Sequence, residues 1–201
     1  MAANTVCISR FLGAGGEEIG RAVAERLGFR YVDDQIISRV AERSNVTPEI
    51  AAKAEERQSI VSRVIDALSG GSSMHFDDQS IPVASAADYQ ELIRDVVVET
   101  GNKGQAVIVA HAASHAFPDA PGVLRVLITA SEDAQVRRLV DGGSAQSEAT
   151  DAVRESQRAR ADYLKRFYGV DSERPEQYDV VLNTDSVDVT RAVDLIVELA
   201  Q

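Results

Sequence analysis

Between Ser9 and Gly20 the chain reads SRFLGAGGEEIG, with glycine at positions 13, 15, 16 and 20. Small residues this close together let a backbone turn tightly and aim several N–H groups at one point, which then attracts an anion. Ser9 and Arg10 stand directly before the run and add a hydroxyl and a permanent positive charge; a guanidinium is a good fork for phosphate. The chemistry these residues suit is phosphate binding. Spacing alone does not identify the site. A dinucleotide fingerprint starting at Gly13 and Gly15 needs a third glycine where Glu18 stands. The phosphate-loop template G-x-x-x-x-G-K-[ST], aligned on Gly15, meets Arg10, Gly16 and Glu17 at its other signature positions. Without a ligand, the same run serves as a tight strand-to-helix turn.

A second constellation lies between Arg154 and Tyr168. It holds Arg154, Arg158, Arg160, Lys165 and Arg166 against Glu155 and Asp162, so 5 − 2 = +3. Such a stretch is either a solvated helix with pairs such as Asp162–Arg166 and Glu155–Arg158, or a basic face for a polyanion. Arg160 has no acid three or four residues away. The remaining candidates are weaker. His111 and His115 are four apart, but Ala112 stands where a zinc-protease helix needs glutamate. His75 lies beside Asp77 and Asp78 in a loop, and Cys7 reads as a small core residue. Arg137 and Arg138 face either solvent or a nucleotide base.

These groups need a scaffold, and its elements are legible. Val6 to Ile8 is a short apolar strand, and the stripe Ile19, Val23, Leu27 predicts a helix ended by Gly28. Phe29 to Val32 reads as a strand running into Asp33 and Asp34. Residues 35–68 read as helical, with Thr47-Pro48 as a helix start, and 69–82 as a loop. A helix over Ala86 to Thr100 precedes the apolar strand Gln105 to Ala110. Strand Leu124–Thr129, helix Ser131–Val140, helix Asp151–Tyr168, strand Val180–Leu182 and helix Val189–Leu199 complete the chain. Strands alternating with helices predict an α/β fold, three-layer α/β/α with a parallel sheet.

The chain has 201 residues with 32 acidic and 21 basic side chains, net −11. The acid is evenly spread, 16 against 10 bases in residues 1–100 and 16 against 11 in the rest. This argues against nucleic acid, whose phosphates need basic surface. One cysteine excludes an internal disulfide, and MAANTVCISRF lacks a signal-peptide pattern, so a cytoplasmic location is expected. No apolar run nears the ~20 residues of a membrane span.

The run ISRFLGAGGEEIGRAVAERLGFRYVDDQII resembles the opening of the cytidylate kinase-like family, a branch of the nucleoside monophosphate kinases. So do AVIVAHAASHAFPDAPGVLRVLITASEDAQVRRLV and RARADYLKRFYGVDSERPEQYDVVLNTDSVD, in the same order. The resemblance implies a P-loop NTPase-like fold and transfer of the terminal phosphoryl group of ATP to CMP, dCMP or a related small acceptor. It implies one kinase-like domain: core 1–44, 91–144 and 176–201, a helical acceptor-side insert at about 45–90 and a lid at about 145–175. Gly13, Ala14, Gly15 and Gly16 would cradle the donor phosphates, with Ser9 adding a side-chain contact. Arg10, Arg158 and Arg160 would carry the catalytic charge, and Asp33 and His111 would face the acceptor. Mg2+ would be held mainly by phosphates and water, with no protein metal set. A homo-oligomer is compatible with this reading. His111, Ser114 and Gln157 depart from the family's usual arginine, aspartate and acid. Those departures keep open a non-catalytic nucleotide-binding sensor or scaffold, or a phosphotransferase for another small metabolite.

Overall fold

Six consecutive buried residues, Thr5–Arg10, make strand β1, and it is the middle strand of the sheet. The computed structural model describes residues 2–33, 86–110, 112–118 and 120–201. The helices expected over 35–68, the loop over 69–82, Asp34, His75, His111 and nearly all of the acceptor-side insert lie outside the described residues. The other strands are β2 (Arg30–Asp33), β3 (Ala106–Val109), β4 (Val123–Thr129) and β5 (Val180–Asn183), in the order β2-β3-β1-β4-β5. The β1–β3, β1–β4 and β4–β5 pairs are parallel. All four residues of β3 are buried, as its unbroken AVIV run demands of an inner parallel strand. The described helices are α1 (Gly16–Leu27), α2 (Ala86–Lys103), α3 (Glu132–Asp141), α4 (Gln146–Tyr168) and α5 (Val189–Ala200), with short 3-10 turns at Ala113–Ala116 and Pro175–Gln177. The α/β class with a parallel sheet is thus the one the sequence predicts. Helix α4 begins at Gln146, before the predicted Asp151. Among the described residues no helix is long and apolar enough to cross a membrane.

The chain forms two compact units. One comprises Met1–Tyr31 and Gln105–Gln201, the other Val32–Gly104. In the second, Val32, Asp33, Val96, Val97 and Thr100 are buried. In the first, one face of the sheet carries Val6, Ile8, Val107, Val109, Val126 and Ile128, packed in a single cluster with α1 and α5. Helix α1 contributes Ile19 and Val23 of the predicted stripe together with Ala24, with Leu27 partly buried against them, and α5 contributes Ala192, Val193, Ile196, Val197 and Ala200. Helices α3 and α4 share a smaller cluster of Val136, Ala149 and Val153, on which Leu12 of the glycine run also packs. The loop is therefore fixed to the α3–α4 pair by an apolar contact as well as by polar ones.

Gly20 sits where α1 comes closest to the sheet, and a Cβ there would overlap Val109 Cγ2 and crowd Tyr31 at 3.3 Å. Val109 is fully buried and stiff at χ1, so it cannot swing away cheaply. Gly20→Ala should therefore cost about 1–3 kcal/mol by overpacking, despite alanine's better helix propensity. A thermal melt should show a midpoint lower by several degrees; an unchanged or raised midpoint would refute the close contact.

Candidate functional site

Strand β1 pairs with β3 only as far as Ile8↔Val109, but with β4 through Arg10↔Ile128. Ser9 and Arg10 thus belong to the strand rather than the loop. The periodicity ends the strand at Ile8 because a hydroxyl and a guanidinium look like surface groups. The pairing on one side carries it two residues further. Ser9 is fully buried, and its hydroxyl donates to Ser114 Oγ at 3.1 Å while accepting from Ser114 N at 3.3 Å. Ser114 Oγ in turn donates to Cys7 O at 3.1 Å. The residue that departs from the family's aspartate is therefore the partner of Ser9 beneath the loop. Cys7 is buried in the same strand, and burial pushes its thiol well above its ordinary range, as befits an inert core residue.

Arg10 is 5% exposed, and its Nε lies 2.6 Å from Glu17 Oε1 in the first turn of α1. Its stem lies across Gly16, where a Cβ would stand 2.5 Å from Arg10 Cβ. Position 16 is where the phosphate-loop template calls for lysine. Any side chain there would displace Arg10, so this departure from the template has a steric cause.

The loop itself needs glycine at two places. Gly13 has φ +72° and Gly15 φ +81°, the left-handed region that L side chains rarely adopt. A Cβ at Gly13 would also stand 2.7 Å from Gln135 O, whereas nothing lies within 4 Å of one at Gly15. The loop is closed at Gly13 and open at Gly15. Its carbonyls are gripped from behind. Arg138 donates from NH1 to Gly13 O at 2.9 Å and to Thr184 Oγ1 at 3.0 Å, and from NH2 to Thr184 O at 2.7 Å. Thr184 Oγ1 lies 3.0 Å from Ala14 O and donates to it. In a trans peptide the N–H points opposite to the carbonyl. With Ala14 O tied to Thr184, the Gly15 N–H faces the open side, at the start of α1. Gly15 makes no side-chain cap. Backbone N–H groups at a helix N-terminus, uncapped and beside open space, suit an anion. Arg138 grips carbonyls, so it shapes the loop from the side away from that anion. Arg138 is exposed, as its solvent alternative expects, and its carbonyl contacts add a third role.

Arg160 is the buried arginine of α4, 3% exposed. It binds Glu173 through Nε to Oε2 at 2.8 Å and NH2 to Oε1 at 2.5 Å. Its NH1 donates to Arg10 O at 3.2 Å, and its guanidinium carbon lies 5.0 Å from the centroid of the Phe11 ring. Tyr178 donates its hydroxyl to Glu173 Oε1. His115 Nε2 lies 3.0 Å from the Tyr178 hydroxyl and 3.7 Å from Glu173 Oε1. The His115 ring also packs against Tyr168, centroids 5.7 Å apart. Burial would raise the Glu173 carboxyl, but the hydrogen bonds of His115 and Arg160 and the Arg160 charge outweigh it and hold the group below its usual range.

The predicted residues therefore separate. Gly13, Ala14, Gly15, Gly16, Arg10 and Arg160 come together in one place, with Ser9 underneath. Arg158 is exposed and makes no ion pair or hydrogen bond with another described residue. Asp33 is buried at the end of β2, in the second unit. Two other bases of α4 pair beyond the helix, Arg154 with Glu132 at 3.2 Å and Lys165 with Asp171 at 3.1 Å, while the guanidinium of Arg166 lies over the Phe167 ring. Among the described residues no group of three or more His, Cys, Asp or Glu could hold a metal ion. Sequence reasoning missed Glu173 and Tyr178 as parts of this site, and marked Thr184 only as flanking the last strand, without its contact. Only Arg160's lack of an acid at helical spacing pointed to a partner further off.

A sequence model of the cytidylate kinase-like family matches residues 5–186. No curated protein matches the chain. An uncharacterized protein from Eubacterium ventriosum ATCC 27560 shares its fold with a TM-score of 0.68 at 18% identity, over 98% of this chain and 97% of that one. The shikimate kinase of Bacteroides thetaiotaomicron aligns with a TM-score of 0.56 at 18% identity, over 97% of both chains. That of Acinetobacter baumannii, in complex with shikimate, aligns with 0.55 at 11% identity, over 98% of this chain and 92% of that one. At these identities the likeness is one of fold, that of P-loop kinases.

Two outcomes test the geometry. Thr184→Val removes the hydroxyl that ties Ala14 O and leaves buried acceptors unpaired, which should cost about 1–3 kcal/mol and speed amide hydrogen exchange at Gly13–Gly16. Thr184→Ser should restore both, and unchanged exchange in the valine variant would refute the tie. Acid should loosen Arg160. The Glu173 carboxyl sits lower in the folded chain than its unfolded value of about 4.3. Its contribution is therefore complete above that value and lost as pH falls through the lower folded one. The melting-temperature gap between the wild type and Glu173→Gln should be constant from pH 7 to 5 and narrow progressively as pH falls below about 4.3; a gap that is unchanged or wider on acidification would contradict this.

Proposed function

The chain belongs to the cytidylate kinase-like family and is a phosphotransferase of kinase type, and we propose that it transfers the terminal phosphoryl group of ATP to CMP, dCMP or a related small phosphorylated acceptor. The observation that carries this reading is the open N-terminus of α1 at Gly15, backed by loop carbonyls held from the other side. Donor phosphates there would meet the Gly15 and Gly16 N–H groups, with Gly13 and Ala14 shaping the cradle, since the Ala14 N–H already donates to Phe11 O at 3.1 Å. Phosphoryl transfer asks the protein mainly for position and positive charge. Arg10 and Arg160 stand at the root of the loop to supply it, with Arg158 on the exposed side of α4 free to reach a bound ligand. Asp33 and His111 would serve the acceptor side, with an insert at about 45–90 and a lid at about 145–175 on one kinase-like domain.

A magnesium ion fits these residues as a companion of the nucleotide. With no cage of carboxylates or imidazoles among the described residues, phosphate oxygens and water would supply most of its ligands. When bound it would neutralise charge on the transferring phosphates. The single buried cysteine suits a reducing, cytoplasmic setting.

One observation favours a second reading. Arg160 is committed within the protein to Glu173, which suits a chain that binds nucleotide without turning it over. A coupled assay of ADP formation with Mg–ATP across nucleoside monophosphates and hydroxylated metabolites decides the matter, together with calorimetry of ATP binding. CMP or dCMP should stimulate turnover about 100-fold or more above the ATPase background. Binding without turnover would establish the sensor. Turnover with a non-nucleotide acceptor alone would move the substrate class. Neither binding nor turnover would overturn the enzyme.

A further inference from the structure

Glu173 lies within the last of the three runs that resemble the family but takes no role from that resemblance, yet both of its carboxylate oxygens are engaged. Oε2 accepts from Arg160 Nε, and Oε1 accepts from Arg160 NH2 and from the Tyr178 hydroxyl, with His115 Nε2 at 3.7 Å. A fork-to-fork arginine–carboxylate pair fixes the guanidinium plane as well as its position. Here the fixed plane aims NH1 at the carbonyl of Arg10 and lays one face toward Phe11. Both residues belong to the stem of the glycine loop. The carboxylate is itself held by groups from two other places in the chain, Tyr178 just before β5 and His115 in the 3-10 turn after β3. Two segments distant in sequence, 173–178 and the turn that carries His115, thus converge to orient one arginine. That is more than a surface ion pair would need, and the side chains are nearly dry, Arg160 at 4% and Glu173 at 13% exposure.

We propose that Glu173, braced by Tyr178 and His115, is the positioning residue for Arg160, holding its guanidinium at the root of the phosphate-binding loop so that it meets the transferring phosphoryl group already oriented. The inference rests on the kinase reading above and on Arg160 acting on that group. A preoriented charge in a water-poor site stabilises a transition state without reorganising during the reaction. Glu173 touches neither nucleotide nor acceptor in this role. Its effect should therefore fall on kcat, leaving ATP affinity, which the loop N–H groups supply, nearly untouched.

The experiment is a double-mutant cycle of Glu173→Gln and Arg160→Lys in the full chain, read by kcat, by the KM for ATP and by calorimetric ATP binding. A thermal melt of each variant establishes that it folds. Glu173→Gln keeps the shape but breaks the fork, and should lower kcat about 100-fold while ATP binding stays within about threefold of wild type. In the Arg160→Lys background the same change should do almost nothing, because the planar fork it orients is already gone. Tyr178→Phe, which removes one brace and keeps the ring, should show a smaller kcat loss with the same unchanged ATP affinity, and serves if Glu173→Gln does not fold. Equal losses in both backgrounds would mean that Glu173 merely holds the fold, and would overturn the inference. A Glu173→Gln protein faster than wild type would also overturn it, by showing that the carboxylate competes with phosphate for Arg160. Wild-type kcat in Arg160→Lys would remove the role that Glu173 is said to serve. A wild-type chain that neither binds nor turns over ATP would defeat the kinase reading itself, a result distinct from all of these.

Discussion

A trans peptide places its carbonyl and its N–H on opposite sides, and the organisation of the loop from Gly13 to Gly16 follows from that single constraint. Arg138 and Thr184 take hold of the carbonyls of Gly13 and Ala14. The Gly15 N–H on the far side is then presented to an anion, while that of Ala14 closes the turn onto Phe11 O. The left-handed glycines permit the turn, and the tie from α3 and the β5–α5 connection selects one form of it. The rest of the first unit supplies the anchors. The sheet centres β1, β4 extends it to Arg10, and the α3–α4 cluster receives Leu12.

Charge is managed in the same local way. A chain at net −11 would repel a polyanion if its acids were free around the loop. Several are not. Glu17 is paired with Arg10, Glu173 with Arg160, and Asp179 with Arg125, whose NH2 donates to Oδ1 at 2.8 Å. Asp185 accepts from the backbone N–H of Ser131 at the start of α3, and that bond holds its carboxyl below the usual range. These acids are each engaged by an arginine or by backbone, while Glu18, in the first turn of α1, is exposed to solvent.

How much of this was legible in the sequence depended on the range of the interaction. The stripe of α1, the AVIV run of β3 and the glycine run are local patterns with one physical cause each, and they fold as read. The reach of β1 through Ser9 and Arg10 was not readable, because a buried serine and a buried arginine look like surface until Ser114 and Glu17 are placed beside them. The partners of Arg160 and Arg138 were invisible for the same reason. Glu173 lies thirteen residues from Arg160, and Thr184 forty-six from Arg138. Neither separation follows a helical or strand period, so only the closed fold brings them together. The basic stretch of α4 was seen as a whole, but charge counting could not tell its one buried arginine from its exposed ones.

The stem of Arg10 lying across Gly16 has a consequence for descent. The two positions, six apart in the chain, share one volume: what one fills, the other must leave empty. Any residue but glycine at 10 brings a Cβ 2.5 Å from where one at 16 would stand, so a lineage that restores a side chain at 16 must first place glycine at 10 or shift the backbone. Related chains should therefore change the two together, as one inherited character, and a graft of the common lysine into this loop would have to bring its small partner with it.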